Sequence, residues 1–215
     1  MAYLRIPIDP PEVWGAGITY RRSADFYSHA TGREKGIYDH VYNSERPELF
    51  FKASASRCVG PNGPLRVRSD SRLTAPEPEL AFILGVRGTI VGYTLCNDLS
   101  AWDIERENPL FLPQSKVFAG CCALGPVIVT AGELRDPYQL ELTCRLWRGD
   151  KVIFEGAVKT SQLKRRCDEL SRWLLRDNVI PPGTVVSTGT GILVPDEFAL
   201  RNGDRVEITV PEIGT

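Results

Sequence analysis

Three runs of sequence lie close together: PEPELAFIL (Pro76–Leu84), VGYTLCNDLSAWDI (Val91–Ile104) and ENPLFLPQSKVF (Glu107–Phe118). Side chains alternate across a strand, so if PEPELAFIL is one, Glu77 and Glu79 face the same small volume. Two carboxylates crowded there repel each other unless a cation or a proton lies between them. Asp98 ends a second apolar run, Ile90 to Leu95, and Lys116 follows a loop held by Pro109 and Pro113. Three hard oxygen donors from two strand ends suit Mg²⁺, with Mn²⁺ as the alternative. Mg²⁺ takes octahedral oxygen ligation and keeps positions for water or substrate. Taken alone, E-x-E reads as a solvated strand face and N-D as a turn. The apolar runs beside both favour the metal, because they put the carboxylates at the buried ends of strands.

The rest of the composition narrows the class. A chain of 215 residues with 42% hydrophobic and 25% charged residues is sized for one globular domain, or one with a short extra lobe. A formal net charge of -1 supplies no basic field for nucleic acid or an anionic membrane. No run approaches the roughly 20 apolar residues of a membrane span, and MAYLRIPIDPPEV lacks the layout of a signal peptide. A cytoplasmic protein is expected. The six cysteines (Cys58, Cys96, Cys121, Cys122, Cys144, Cys167) form no C-x-x-C pair, and only two histidines exist, which argues against zinc. Most sit in apolar runs and read as small core residues.

Along the chain, residues 1–20 are rich in Pro and Gly and read as a loop or extended arm. From Arg21 to Tyr42 the sequence is polar, and Gly32 and Gly36 argue against one continuous helix. ELFFKA (Glu48–Ala53) reads as a strand with Phe50 and Lys52 on one face. Lys52 is then either an edge-strand lysine or one facing a pocket. LRVRSDSRL alternates like a strand. CCALGPVIVT (Cys121–Thr130) reads as a buried strand, and YQLELTCRLW–RGDK–VIFEG as a hairpin turning at Gly149–Asp150. One helix is expected over Ser161 to Asn178, with Leu163, Cys167, Leu170 and Leu174 in one stripe. VVSTGTGILVP (Val185–Pro195) is a strand entering a Gly-flanked turn, whose N–H groups and Thr hydroxyls could also cradle a carboxylate.

In Glu77-x-Glu79, NDLSAWD with Asp98, and the downstream Lys116, the chain resembles the fumarylacetoacetate hydrolase superfamily. SERPELFFKA, DIERENPLFLPQSKVFAGCCALGP and STGTGILVP are similar to its 2-keto-3-deoxy-pentonate dehydratase branch. The resemblance implies an α+β, β-dominated fold, a rolled mixed sheet with one main packing helix. It implies a short N-terminal arm or lid over 1–41 and a catalytic domain over 42–215. Glu77, Glu79 and Asp98 would hold the metal, and Lys116 and Thr190 would be catalytic. Lys52, Ser100 and Thr190 would touch substrate. Members carry a Glu or His on a closing segment near the N-terminus, for which His29, Glu34, His40 and Glu45 are available without a spacing that selects one. Homodimers or homotetramers are implied.

The expected reaction is Mg²⁺-dependent dehydration of a 2-keto-3-deoxy pentonate to 2-oxoglutarate semialdehyde, by way of a stabilised enolate. Lys116, partly buried near a cation, is expected to have a lowered pKa suited to proton transfer. Two departures stand out. Trp102 occupies the position where the family motif has Arg, and a Trp lacks the planar donor fork of Arg. The chain is also short at both ends. The alternatives are a C–C bond hydrolase or decarboxylase of acylpyruvate or oxaloacetate type, and an impaired small-acid binding member.

Overall fold

The two acidic runs form neighbouring antiparallel strands, with Pro78 opposite Asn97 and Glu79 opposite Cys96. The structure, a computed structural model, describes residues 5–31 and 36–215, with backbone only at 29–31. In chain order its elements begin β1 (Val13–Gly17), α1 (Arg21–Thr31), α2 (Ile37–Asn43), β2 (Glu48–Ala53), β3 (Cys58–Val59), β4 (Thr74–Ala75), β5 (Pro78–Leu84) and β6 (Ile90–Asp98). They continue with β7 (Ser100–Ala101), α3 (Trp102–Glu107), α4 (Leu112–Lys116), β8 (Cys122–Thr130) and β9 (Glu141–Arg148). The last are β10 (Lys151–Lys159), α5 (Cys167–Leu175), β11 (Val185–Ser187) and β12 (Arg205–Thr209).

A seven-stranded mixed sheet runs β2-β1-β11-β5-β6-β8-β3. The β1–β11 and β3–β8 pairs are parallel and the others antiparallel. Beside it stand a three-stranded sheet, β10-β9-β12, and a two-stranded one, β4-β7. Every residue of β5 is buried, because the strand packs on both faces. Leu80, Phe82 and Leu84 join Leu142, Cys144, Leu170 and Leu174 in the main core. Ala81 and Ile83, on the opposite face, join Val13, Cys96, Cys122 and Leu124. Glu79 alternates with Leu80, so it lies on this second face, away from α5.

Several local expectations meet corrections. Of the two readings for the Pro/Gly-rich start, extended backbone holds at 13–17, where β1 pairs with both β11 and β2 inside the large sheet. LRVRSDSRL forms no strand: the Arg66 N–H bonds the carbonyl of Gly120, and Arg68 grips Asp70 through two hydrogen bonds. The expected helix over 161–178 shortens to Cys167–Leu175. Before it, the Lys164 N–H donates to the carbonyl of Thr19, and the Arg165 guanidinium donates to the carbonyls of Ser44 and Glu45. These long-range bonds hold 164–166 out of the helix. The hairpin is as read, with Leu140, Leu142, Cys144 and Leu146 buried and Gly149 at φ 58° in the turn.

Candidate active site and metal centre

Glu77 precedes β5, Glu79 lies on it, and Asp98 ends β6, so strand pairing brings the three carboxylates together. One oxygen from each lies within 4.8 Å of the others, and all three residues are buried. The Asp98 N–H bonds the Glu77 carbonyl at 2.9 Å, and the Glu77 N–H bonds Asn97 Oδ1 at 3.2 Å, which locks the two strand ends in register.

Each carboxylate has its own brace. Glu77 Oε1 accepts from Trp102 Nε1 at 2.7 Å and from the Tyr27 hydroxyl at 3.1 Å. Glu79 Oε2 accepts from the Ser187 hydroxyl and from the Gly189 N–H at 2.7 Å. Gly189 has φ 92°, and a Cβ there would lie 2.1 Å from Thr19 Oγ1, so only glycine permits this approach. Asp98 Oδ1 is enclosed and meets Lys52 Nζ at 2.5 Å in a buried ion pair.

Lys116 Nζ donates to Glu77 Oε2 at 2.9 Å, Asp98 Oδ2 at 3.0 Å and Ser100 Oγ at 2.7 Å. Burial pulls its pKa down, but Asp98 and Glu77 outweigh burial and hold it well above the ordinary lysine value. The carboxylates around Lys116 favour its charged form, a shift opposite in direction to the one expected beside a cation. Burial pushes Glu79 well above the usual carboxylate range, and Asp98 and Glu77 add to the shift.

Lys52 is 0% exposed. Besides Asp98 it donates to the carbonyls of Leu99 at 2.8 Å and Lys116 at 2.6 Å, so its three N–H bonds are all engaged. In this arrangement it braces Asp98 from behind. Ser100 is likewise buried and committed, accepting from Lys116 and donating to the Asp98 carbonyl at 2.9 Å. It positions Lys116 and has no proton left to offer a substrate.

Thr190 lines a small cavity beside the carboxylates together with Tyr27, Glu48, Glu77, Glu105 and Lys116. Sequence reading missed Glu48 and Glu105. Both had a signal: Glu48 shares a strand face with Phe50 and Lys52, and Glu105 lies one helical turn after Trp102. Burial raises Glu48, opposed by Lys116 and reinforced by Glu77 and Asp98. Burial pushes Glu105 up to about 8, with Lys116 opposing and Glu77, Glu48 and Asp98 adding. Glu34 and the side chain of His29 lie outside the described residues. His40 and Glu45 are absent from the cavity wall.

The donor set fits a hard divalent cation. Three converging buried carboxylates, of which Glu79 is raised by burial and further by Asp98 and Glu77, gain most from Mg²⁺ or Mn²⁺.

A mixed rolled sheet whose central strand ends carry a buried acidic triad defines a divalent-metal enzyme fold. The chain belongs to the fumarylacetoacetate hydrolase family: residues 12–215 match the model for the fumarylacetoacetate (FAA) hydrolase C-terminal domain. It is 51% identical over 212 residues to the 2-dehydro-3-deoxy-D-arabinonate dehydratase of Saccharolobus solfataricus, covering 97% of this chain and 71% of that protein. It is 44% identical over 210 residues to a probable 2-keto-3-deoxyxylonate dehydratase of Haloferax volcanii, covering 98% of this chain and 72% of that protein. Among solved structures it is similar to a 2-keto-3-deoxy-D-arabinonate dehydratase complexed with magnesium and 2,5-dioxopentanoate. That match has a TM-score of 0.89 and 51% identity, and covers 97% of this chain and 72% of that one.

Proposed function

We propose that this chain is a magnesium-dependent hydro-lyase that dehydrates a 2-keto-3-deoxy pentonate to 2,5-dioxopentanoate, the semialdehyde of 2-oxoglutarate. The observation that carries the reading is the buried Glu77–Glu79–Asp98 cluster in a chain half identical to a dehydratase of that substrate class. Glu77, Glu79 and Asp98 hold the cation. Magnesium, once bound, supplies the Lewis acid that acidifies the C3 hydrogens of a 2-oxo acid.

The protein's own groups do the rest. Lys116 stays charged and steadies negative charge as it develops on the C2 oxygen. Glu48, raised by burial and on the cavity wall, takes the C3 proton. Thr190, on the same wall, orients the substrate carboxylate. Lys52 and Ser100 keep Asp98 and Lys116 in place.

No helix among the described residues is long and apolar enough to cross a membrane. All six cysteines are free, which suits the reducing cytoplasm as the site of action. The family resemblance supports a homodimer or homotetramer, and light scattering on the purified protein measures which.

Incubation with 2-keto-3-deoxy-arabinonate or -xylonate and Mg²⁺ tests the function, with the product read by a dehydrogenase that oxidises it to 2-oxoglutarate. Turnover is expected, and it should vanish in EDTA and in Glu79→Ala. Turnover that survives both controls would remove the metal from the reaction. Turnover of oxaloacetate or an acylpyruvate instead would change the reaction class.

A further inference from the structure

Glu105 is a buried acid that no step above uses. It lies on α3, 7% exposed, with its Oε2 enclosed and without a hydrogen-bond partner among the described residues. It shares the cavity wall with Glu48, Glu77, Lys116 and Thr190. Ionising it there would be costly, because a buried charge needs a partner. The cation on the same cavity wall, Lys116, is already committed to Glu77, Asp98 and Ser100. The protonated carboxyl is the form this environment favours, and in that form it carries an O–H at the cavity wall.

The reaction needs such a proton. Resting on the dehydratase reading, the difficult bond is C4–O, since hydroxide is a poor leaving group from carbon. We propose that Glu105 is the general acid of the dehydration, giving its proton to the C4 hydroxyl as that group departs. In this step the enolate's electron pair forms the C3–C4 double bond and the C2 carbonyl re-forms. The C4–O bond breaks, its electron pair stays on oxygen, and the proton from Glu105 completes a water molecule. The Glu105 carboxylate is reprotonated from solvent before the next turnover. Glu48 and Glu105 then divide the work, one carboxyl removing the C3 proton and the other supplying the C4 one.

The two halves of the reaction can be read separately. 2-Oxobutanoate has C3 hydrogens but no C4 hydroxyl, so its exchange of C3–H for deuterium, followed by proton NMR in D₂O with Mg²⁺, reports enolisation alone. The isosteric Glu105→Gln variant should keep this exchange and its Mg²⁺ affinity within about twofold of wild type. Its dehydration of the 2-keto-3-deoxy pentonate should fall by about 10²–10⁴-fold, the usual contribution of a general acid. A C4-fluoro analogue, whose fluoride leaves with less help from a proton, should recover most of the lost rate in the variant. Loss of exchange and dehydration together would overturn the inference in favour of a positioning role. Unchanged dehydration, or no recovery with the fluoro analogue, would overturn it too. Wild-type protein that exchanges C3 yet never dehydrates would instead defeat the dehydratase reading, and the inference with it.

Discussion

Trp102 donates its indole N–H to Glu77 while Phe26 and Tyr27 pack against its ring, at centroid distances of 5.4 and 5.9 Å. The Arg106 guanidinium covers the same ring at 5.2 Å. An arginine introduced at 102 would meet that second cation in an apolar setting, whereas the indole supplies the donor without a charge. Glu77 is thus oriented by an aromatic cluster that includes Trp102 and Tyr27. Trp102→Phe keeps the packing and removes the donor. It should weaken Mg²⁺ binding about 10-fold, the lower end for partners that orient a metal ligand. Calorimetric titration with Mg²⁺ measures this, and saturating Mg²⁺ should restore kcat. Unchanged affinity would mean that the Tyr27 hydroxyl suffices. At this scale the buried carboxylate cluster was legible, because period-two alternation and flanking apolar runs both act locally. The roles of Lys52 and Ser100 were not, since their partners Asp98, Leu99 and Lys116 are fixed by strand ends meeting in space. Glu48 and Glu105 were readable in principle, through the face each shares with a residue already singled out.

Among the elements, α5 shows where periodicity succeeds and where it stops. Cys167, Leu170 and Leu174 are buried as their spacing requires. The ends differ from the pattern because Lys164 and Arg165 bind carbonyls of distant segments, which the stripe cannot encode. LRVRSDSRL failed for a related reason, since alternation alone supplies no neighbouring strand for 65–73. The hairpin succeeded because its turn residues and both its strands are contiguous. Leu170 is fully buried in the core between α5 and the β5 face that carries Leu80, Phe82 and Leu84. Leu170→Ala should therefore cost about 2–5 kcal/mol, measured as a lowered urea midpoint. Mg²⁺ affinity should hold, because the carboxylates occupy the other face of β5. A parallel loss of affinity would show that the two faces are coupled.

Across the whole molecule, the sheet order puts β11 between β1 and β5. Glu79 consequently depends on Ser187 and Gly189, which lie 108 and 110 residues further along the chain. Glu77 depends on Tyr27, 50 residues before it. A nascent chain that has emerged only as far as Lys116 already contains every carboxylate of the centre, yet nothing that aims Glu79. Contacts this distant in sequence form slowly, after local hairpins. The metal centre is thereby a sensor of finished folding. During refolding from urea, Mn²⁺ capture, followed by loss of its free-ion paramagnetic resonance signal, should trail the return of the β-sheet circular dichroism. Simultaneous recovery of both signals would mean that the strand from Val185 docks as early as the hairpins do. If capture lags, the cell's magnesium cannot stabilise a half-made chain, and only completed molecules compete for the ion.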